Sequence, residues 1–365
     1  DEGTIEGLTV RIAASENLRI GNPELFAQVL ATGEAILDSP SGNIVLEGGS
    51  AVQGGIVRMS AGGALTGNGN IIATDQDVGL SITGDIAASS ITAVRELTSA
   101  EDAGGDVEGF FTTPASFRVN AVTLGTPADL AAGADMEIGT LALPGENARL
   151  EAGSLLSLGS VEGVVDLTMI GGAVNFDTLT PSGNMAVTAG PVFGTAALAG
   201  GTLDIMADSL TADLLQADGK VTLTVVDTAA LGIVRSVGGA VDIDPILLTF
   251  DAVSAAQSVH LAGGTIIGGT VDAGTDIAVE ATGPVALTSA VAGADLAIAA
   301  ASLSVPSLVA GGALTLNVGG TASLGTVSSA GASFDAGTLS FDRIATTGGA
   351  GFFGGTVTGG SLDIG

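Results

Sequence analysis

Apolar doublets return along this chain roughly every 18–20 residues, and that beat narrows the possible folds more than any other feature. The pairs are Val165/Leu167, Met185/Val187, Leu203/Ile205, Val221/Leu223, Val241/Ile243, Val259/Leu261, Ile277/Val279, Leu296/Ile298 and Leu314/Leu316, and Phe334 reads as the start of the next, paired with Leu314. A fixed period of this length marks a stacked array in which each unit leans on its neighbours.

Within a unit the alternation has period 2. In "GALTLNV" (312–318), Leu314 and Leu316 point to one side and Thr315 between them to the other, which is the habit of a strand. Leucine-rich arrays share the unit length, but their Leu-x-x-Leu-x-Leu phrase with a fixed Asn does not persist here. The predicted architecture is all-β: a right-handed parallel β-helix with coils of about 18–20 residues, each strand pairing with its equivalents above and below. With 58 Gly but no Gly-x-y period, the chain is not collagen. Corners such as Gly311-Gly312, Gly319-Gly320, Gly200-Gly201 and Gly238-Gly239 are expected to supply the positive φ of sharp bends.

About 18 coils at roughly 4.8 Å each predict one rod on the order of 85–90 Å long. Residues 41–365 carry the array, more loosely over 41–92, and residues 1–40 read as irregular first coils. Asn22-Pro23-Glu24 is a possible helix start, but "ATGEAIL" (31–37) reads as strand, so one or two distorted coils are expected there. The polar stretch "AVRELTSAEDAGGDVEGFFTT" (93–113) departs from the beat and reads as a loop inserted between coils. Ending on a fresh "SLDIG" phrase, the chain reads as a piece of a longer array.

Mean hydropathy is high at +0.58, yet the most apolar window, 290–314, is broken by Asp295, Pro306 and a Gly-Gly corner, so the apolar content reads as core and no membrane insertion is expected. Acidic residues outnumber basic ones 39 to 9, a formal charge of −30. That field repels nucleic acid and anionic lipid surfaces. No Cys is present, which removes disulfides and thiolate chemistry and suits export through an oxidising compartment.

The phrases "AGGALTLNVGGTASLGTVSSAG" (310–331) and "LEGGSAVQGGIVRMSAGGALTGNGNIIATD" (46–75) resemble the repeat region of filamentous haemagglutinin-like exoproteins of Gram-negative bacteria. The resemblance covers about residues 41–365 and implies a segment of a large adhesin, exported by two-partner secretion or as an autotransporter passenger. It implies a secreted or cell-surface location and partners that are flanking repeats, other copies, or a host or neighbouring cell met through a distal region.

Enzymes also use parallel β-helices, so the outward position between the doublets matters. It reads Asp166, Ala186, Asp204, Thr222, Asp242, His260, Ala278. The three Asp recur every second coil, about 10 Å apart, and His260 is placed one coil from Asp242. Sugar-processing clefts lean on Trp and Tyr platforms and on basic residues; Trp and Tyr are absent and Lys220 is the only lysine. No catalytic residue is assigned, and the chain is expected not to be an enzyme. The alternative is a polysaccharide-binding or polysaccharide-cleaving β-helix.

Oxygen-rich clusters offer candidates for calcium, namely Asp75 and Asp77 in "TDQD" and Glu101, Asp102 and Asp106 in the insertion. Neither reaches the six to eight oxygens calcium takes, and a lone His260 makes no multi-histidine zinc site, so no metal or cofactor is assigned. Asp135, Asp276 and Asp295 each stand just before a doublet and are expected to bond the local backbone.

Overall fold

The computed structural model describes residues 3–22, 24, 26–100, 103 and 110–365. Among these every regular element is a strand, and every pairing is parallel to a strand of an adjacent coil. Among the described residues no helix is long and apolar enough to cross a membrane. The chain divides into two compact units, Asp1–Gly190 and Pro191–Gly365, each a stacked β-solenoid.

In the second unit one coil shows how sequence becomes shape. The strand Val241–Asp244 forms a first face; Leu247–Ala255 bends at Asp251 and supplies a second and a third. Alternation buries Val241 and Ile243 from the first face, Leu248 and Phe250 from the second, and Val253 and Ala255 from the third. The inner triangle is therefore lined by apolar side chains on all three sides. The coils of this unit begin at Leu203, Val221, Val241, Val259, Ile277, Leu296, Leu314, Ala332 and Ala350, each directly opposite the next. In the first unit a comparable column runs through Leu18, Ile44, Leu65, Ile86, Phe117, Met136, Leu156 and Val174.

Large and small residues alternate where the triangle is tight. The ring of Phe250 fills the space left by Gly268 one coil up, where a Cβ would stand 2.2 Å from the ring tip. Such complementary filling keeps the core at native density without widening the coil.

Two intervals of the doublet pattern are corrected. Leu167 and Met169, both buried, stack on Ala148 and Leu150, whereas Val165 is only half-buried and precedes the face. Likewise Leu314 stacks on Ala332 and Leu316 on Phe334, so Phe334 is the second member of its doublet and the coil is shorter than pairing Leu314 with Phe334 implied. A slip of two preserves which side chains point inward, so alternation alone cannot detect it. Ala332 is also an inconspicuous doublet member.

The glycine expectation is corrected too. Positive φ occurs at Gly21, Gly48, Gly49, Gly67, Gly145, Gly163 and Gly354, and not at Gly311-Gly312, Gly319-Gly320, Gly200-Gly201 or Gly238-Gly239. What Gly311 supplies is closeness: a Cβ there would lie 2.1 Å from the carbonyl oxygen of Gly293 on the coil below.

The described part of segment 1–40 stacks in the common register. Gly3–Ala13 pairs with Ala27–Ser39, with one break between Gly7 and Thr9, and Leu18–Ile20 pairs with Ile44–Leu46. Asn22 makes a turn, its Oδ1 accepting the Glu24 N–H at 2.8 Å.

The departure from the beat is narrower than 93–113. Leu97–Thr98 pairs with Val78–Ile82, and Phe110–Thr113 pairs with Ala128–Ala132, so both flanks belong to coils. Phe111 is buried and its ring lies 5.7 Å from that of Phe117. At the root, Arg58 donates to the carbonyls of Ala100 and Ala103 while also pairing with Glu34. Ala103 is buried against the bare backbone of Gly79.

Candidate functional site

Corner residues carry a ladder that links coil to coil. Asn17 Oδ1 accepts the N–H of Asn43 (2.9 Å), and Asn43 Oδ1 accepts that of Ala64 (2.7 Å). Asn147 and Asp166 repeat the arrangement with Asp166 (3.0 Å) and Asn184 (2.7 Å). In the second unit Asp276 accepts from Asp295 (3.0 Å) and Asp295 from Ala313 (2.7 Å). These corner carboxylates therefore bond the next coil and not the local backbone expected from sequence. A turn N–H that the strand ladder leaves open is satisfied in this way. Asp135 behaves alike, with a longer contact to the Leu155 N–H at 3.4 Å.

Asp166 thus belongs to a corner, and the outward position between the inward doublet of its coil is Thr168, opposite Arg149. The expected three-member Asp column is corrected accordingly. In the second unit the column holds Asp204, Thr222, Asp242, His260 and Ala278.

His260 and Asp242 meet as the register predicts, with Nδ1 and Oδ1 2.9 Å apart. Sequence reasoning missed the third member: Lys220 at the preceding corner donates to Asp242 Oδ2 at 3.3 Å. The only lysine and the only histidine of the chain therefore share one carboxylate. Burial pushes the Asp242 carboxyl up, but the hydrogen bonds from His260 and Lys220, with the lysine charge, outweigh it and hold the group below its ordinary range. All three side chains are more than a third exposed, and neither Asp242, His260 nor Lys220 lines any cavity described below. The geometry orients an imidazole at a half-exposed position, and its hydrogen-bond partner among the described residues is a carboxylate.

A second charged group lies in the first unit. Arg149 bridges Asp129 (3.1 Å) and Glu151, whose hydrogen bonds, Glu151 first, raise the guanidinium above its usual value against a small opposing effect of burial. Arg149 and Asp129, with Glu96, Asn147, Asp166 and Thr168, border an open groove of about 660 Å³. In the second unit Asp244 and Glu280, two coils apart on the first face, border another of about 680 Å³.

The calcium candidates separate. Asp75 is exposed, while Asp77 is buried, accepting the N–H of Glu96 at 3.3 Å with Arg95 3.8 Å away. Glu101, Asp102 and Asp106 lie outside the described residues. Among the described residues no group of three or more His, Cys, Asp or Glu is placed to hold a metal ion.

No family model, curated protein or solved structure matches the chain.

Proposed function

We propose that this chain is a non-enzymatic structural segment of a bacterial fibre, on the cell surface or secreted, serving as an adhesin stalk or as part of a self-assembling extracellular filament. The observation that carries the reading is the unbroken stacking of equivalent residues, from Leu203 through Leu314 to Ala350 in the second unit. A solenoid of this kind gains length by adding coils while each coil touches only its neighbours, so it supplies reach and stiffness at low sequence complexity. The corner ladder supports the same reading, because it fixes the spacing of successive coils by side chains as well as by backbone.

In this proposal flanking repeats or other copies continue the fibre, a distal region meets the host or neighbouring cell, and the setting is the outside of a Gram-negative bacterium. Immunogold labelling of intact producing cells tests it. Gold on filaments or on the outer surface is the expected result. Label reached only after lysis overturns the reading.

A further inference from the structure

We infer that the second unit carries a self-association surface, on which a second copy of this chain packs antiparallel across the coils of Val241 and Val259. Three observations converge on its second face.

The first is charge. From Ser209 and Thr211 at one end to Thr356 and Thr358 at the other, the two outward columns of this face contain only Ser, Thr, Ala, Leu, Ile and Pro. The first face carries Asp204, Asp242, Asp244 and Glu280, and the third Arg235, Asp272, Arg343 and Asp363. In a chain of charge −30, this is the face on which two copies approach with least repulsion.

The second is shape. At the corner between first and second faces Ile246 is 61% exposed and Val226 60%, and Ile267 on the second face is 51% exposed. One coil above Ile246 the corner falls to bare backbone at Gly263 and Gly264 in the 680 Å³ groove, with Ala281 and Thr282 beyond and Asp244 and Glu280 on its first-face side. An apolar ridge and a notch thus stand one above the other on one edge. A two-fold axis passing between them, along the strand direction, seats each Ile246 over the other copy's Gly264, which is the self-complementarity an isologous contact needs.

The third is register. With that axis Leu247 meets Thr265 of the other copy and Thr249 meets Ile267. The corner carboxylates then face small or uncharged residues: Asp251 faces Gly269, Asp213 faces Pro306, Asp208 faces Ala301, and Asp227, one coil below Ile246, faces Gly283. A parallel arrangement reverses the columns, setting Ile246 on Asp251 and Asp208 on Asp213. Like charges directly opposed are destabilising, and so is a carboxylate pressed on an apolar ridge, so antiparallel packing is selected.

Six coils overlap in this register, roughly 29 Å by 13 Å, or about 400 Å² of face for each copy, which places the contact in the weak, reversible class. The inference rests on the faces of this unit alone and stands apart from the fibre reading.

Sedimentation velocity of the full chain over a wide concentration range, at low and high NaCl, tests it. The expected result is a monomer–dimer equilibrium whose dimer fraction rises with added salt, as screening relieves the repulsion. Ile246→Asp, at an exposed position, is expected to abolish the dimer while leaving the circular dichroism spectrum unchanged. Because the chain has no cysteine, a mixture of Leu247→Cys and Thr265→Cys proteins should be joined by a short bismaleimide, whose reach matches the roughly 10 Å between packed sheet faces. A monomer at every concentration and salt, a dimer indifferent to Ile246→Asp, or Leu247→Cys linking to itself in preference would overturn the inference.

Discussion

The carboxylate of Asp295 accepts the backbone N–H of Ala313, one coil up, at 2.7 Å. Between them in space lies Gly312, where a Cβ would come 2.3 Å from that same oxygen. The combination recurs: Asn43 bonds Ala64 beside Gly63, and Asp166 bonds Asn184 beside Gly183. At these three rungs the glycine just before the bonded N–H leaves room for the side chain of the coil below to close to 2.7 Å, whereas the rungs that follow Val165 and Ala294 stand at 3.0 Å.

This relationship predicts coupled mutational effects. Asp295→Ala should cost about 0.5–1.5 kcal/mol, the net worth of a hydrogen bond, and Gly312→Ala should cost a similar amount by displacing the carboxylate. The double variant should be little worse than either single one, because both break one contact. Urea unfolding of the four proteins measures it. Additive losses would show that the glycine has a separate role.

The Phe250–Gly268 pair makes a second prediction. Gly268→Ala should destabilise by about 1–3 kcal/mol, since the ring has no room to retreat inside a closed triangle. Phe250→Leu should be the milder change, and Gly268→Ala placed in that background should recover stability. Thermal unfolding followed by circular dichroism compares them; a Gly268→Ala protein as stable as the parent would contradict the packing described.

Acid dependence follows from Asp242. Its folded-state carboxyl lies below the ordinary aspartate value, so its contribution is fully present above about pH 4 and is lost as pH falls through the lowered value. Asp242→Asn should therefore be less stable than the parent at pH 7, by about 0.5 kcal/mol given the exposure of the pair. The gap should close in strong acid. Melting temperatures at pH 7 and pH 2 decide it, and a gap that widens on acidification would refute the assignment.

The solenoid was legible because its strongest determinant is periodic. Leu203, Val221 and Val241 announce a coil by spacing alone, and they do stack. Phase was harder. Val165 and Leu167 satisfy the alternation as well as Leu167 and Met169 do, and only the Asp166 corner bond distinguishes them. The His260–Asp242 contact could be read from register, but Lys220 could not, because its stem reaches from a corner to an adjacent coil. The ladder was half visible: Asp295 before a doublet suggested backbone bonding, while its partner one coil away required the fold.

Register is the claim on which the rest depends, and a pair of engineered disulfides tests it most directly. Thr315 lies opposite Ser333, whereas pairing Leu314 with Phe334 would place it opposite Asp335. Adjacent coils bring opposed Cα atoms to about 4.8 Å, within the span of a disulfide. Thr315→Cys with Ser333→Cys should oxidise readily to an intramolecular bond, and Thr315→Cys with Asp335→Cys should stay reduced. Closure of the second pair, or of neither, would contradict the stacking described.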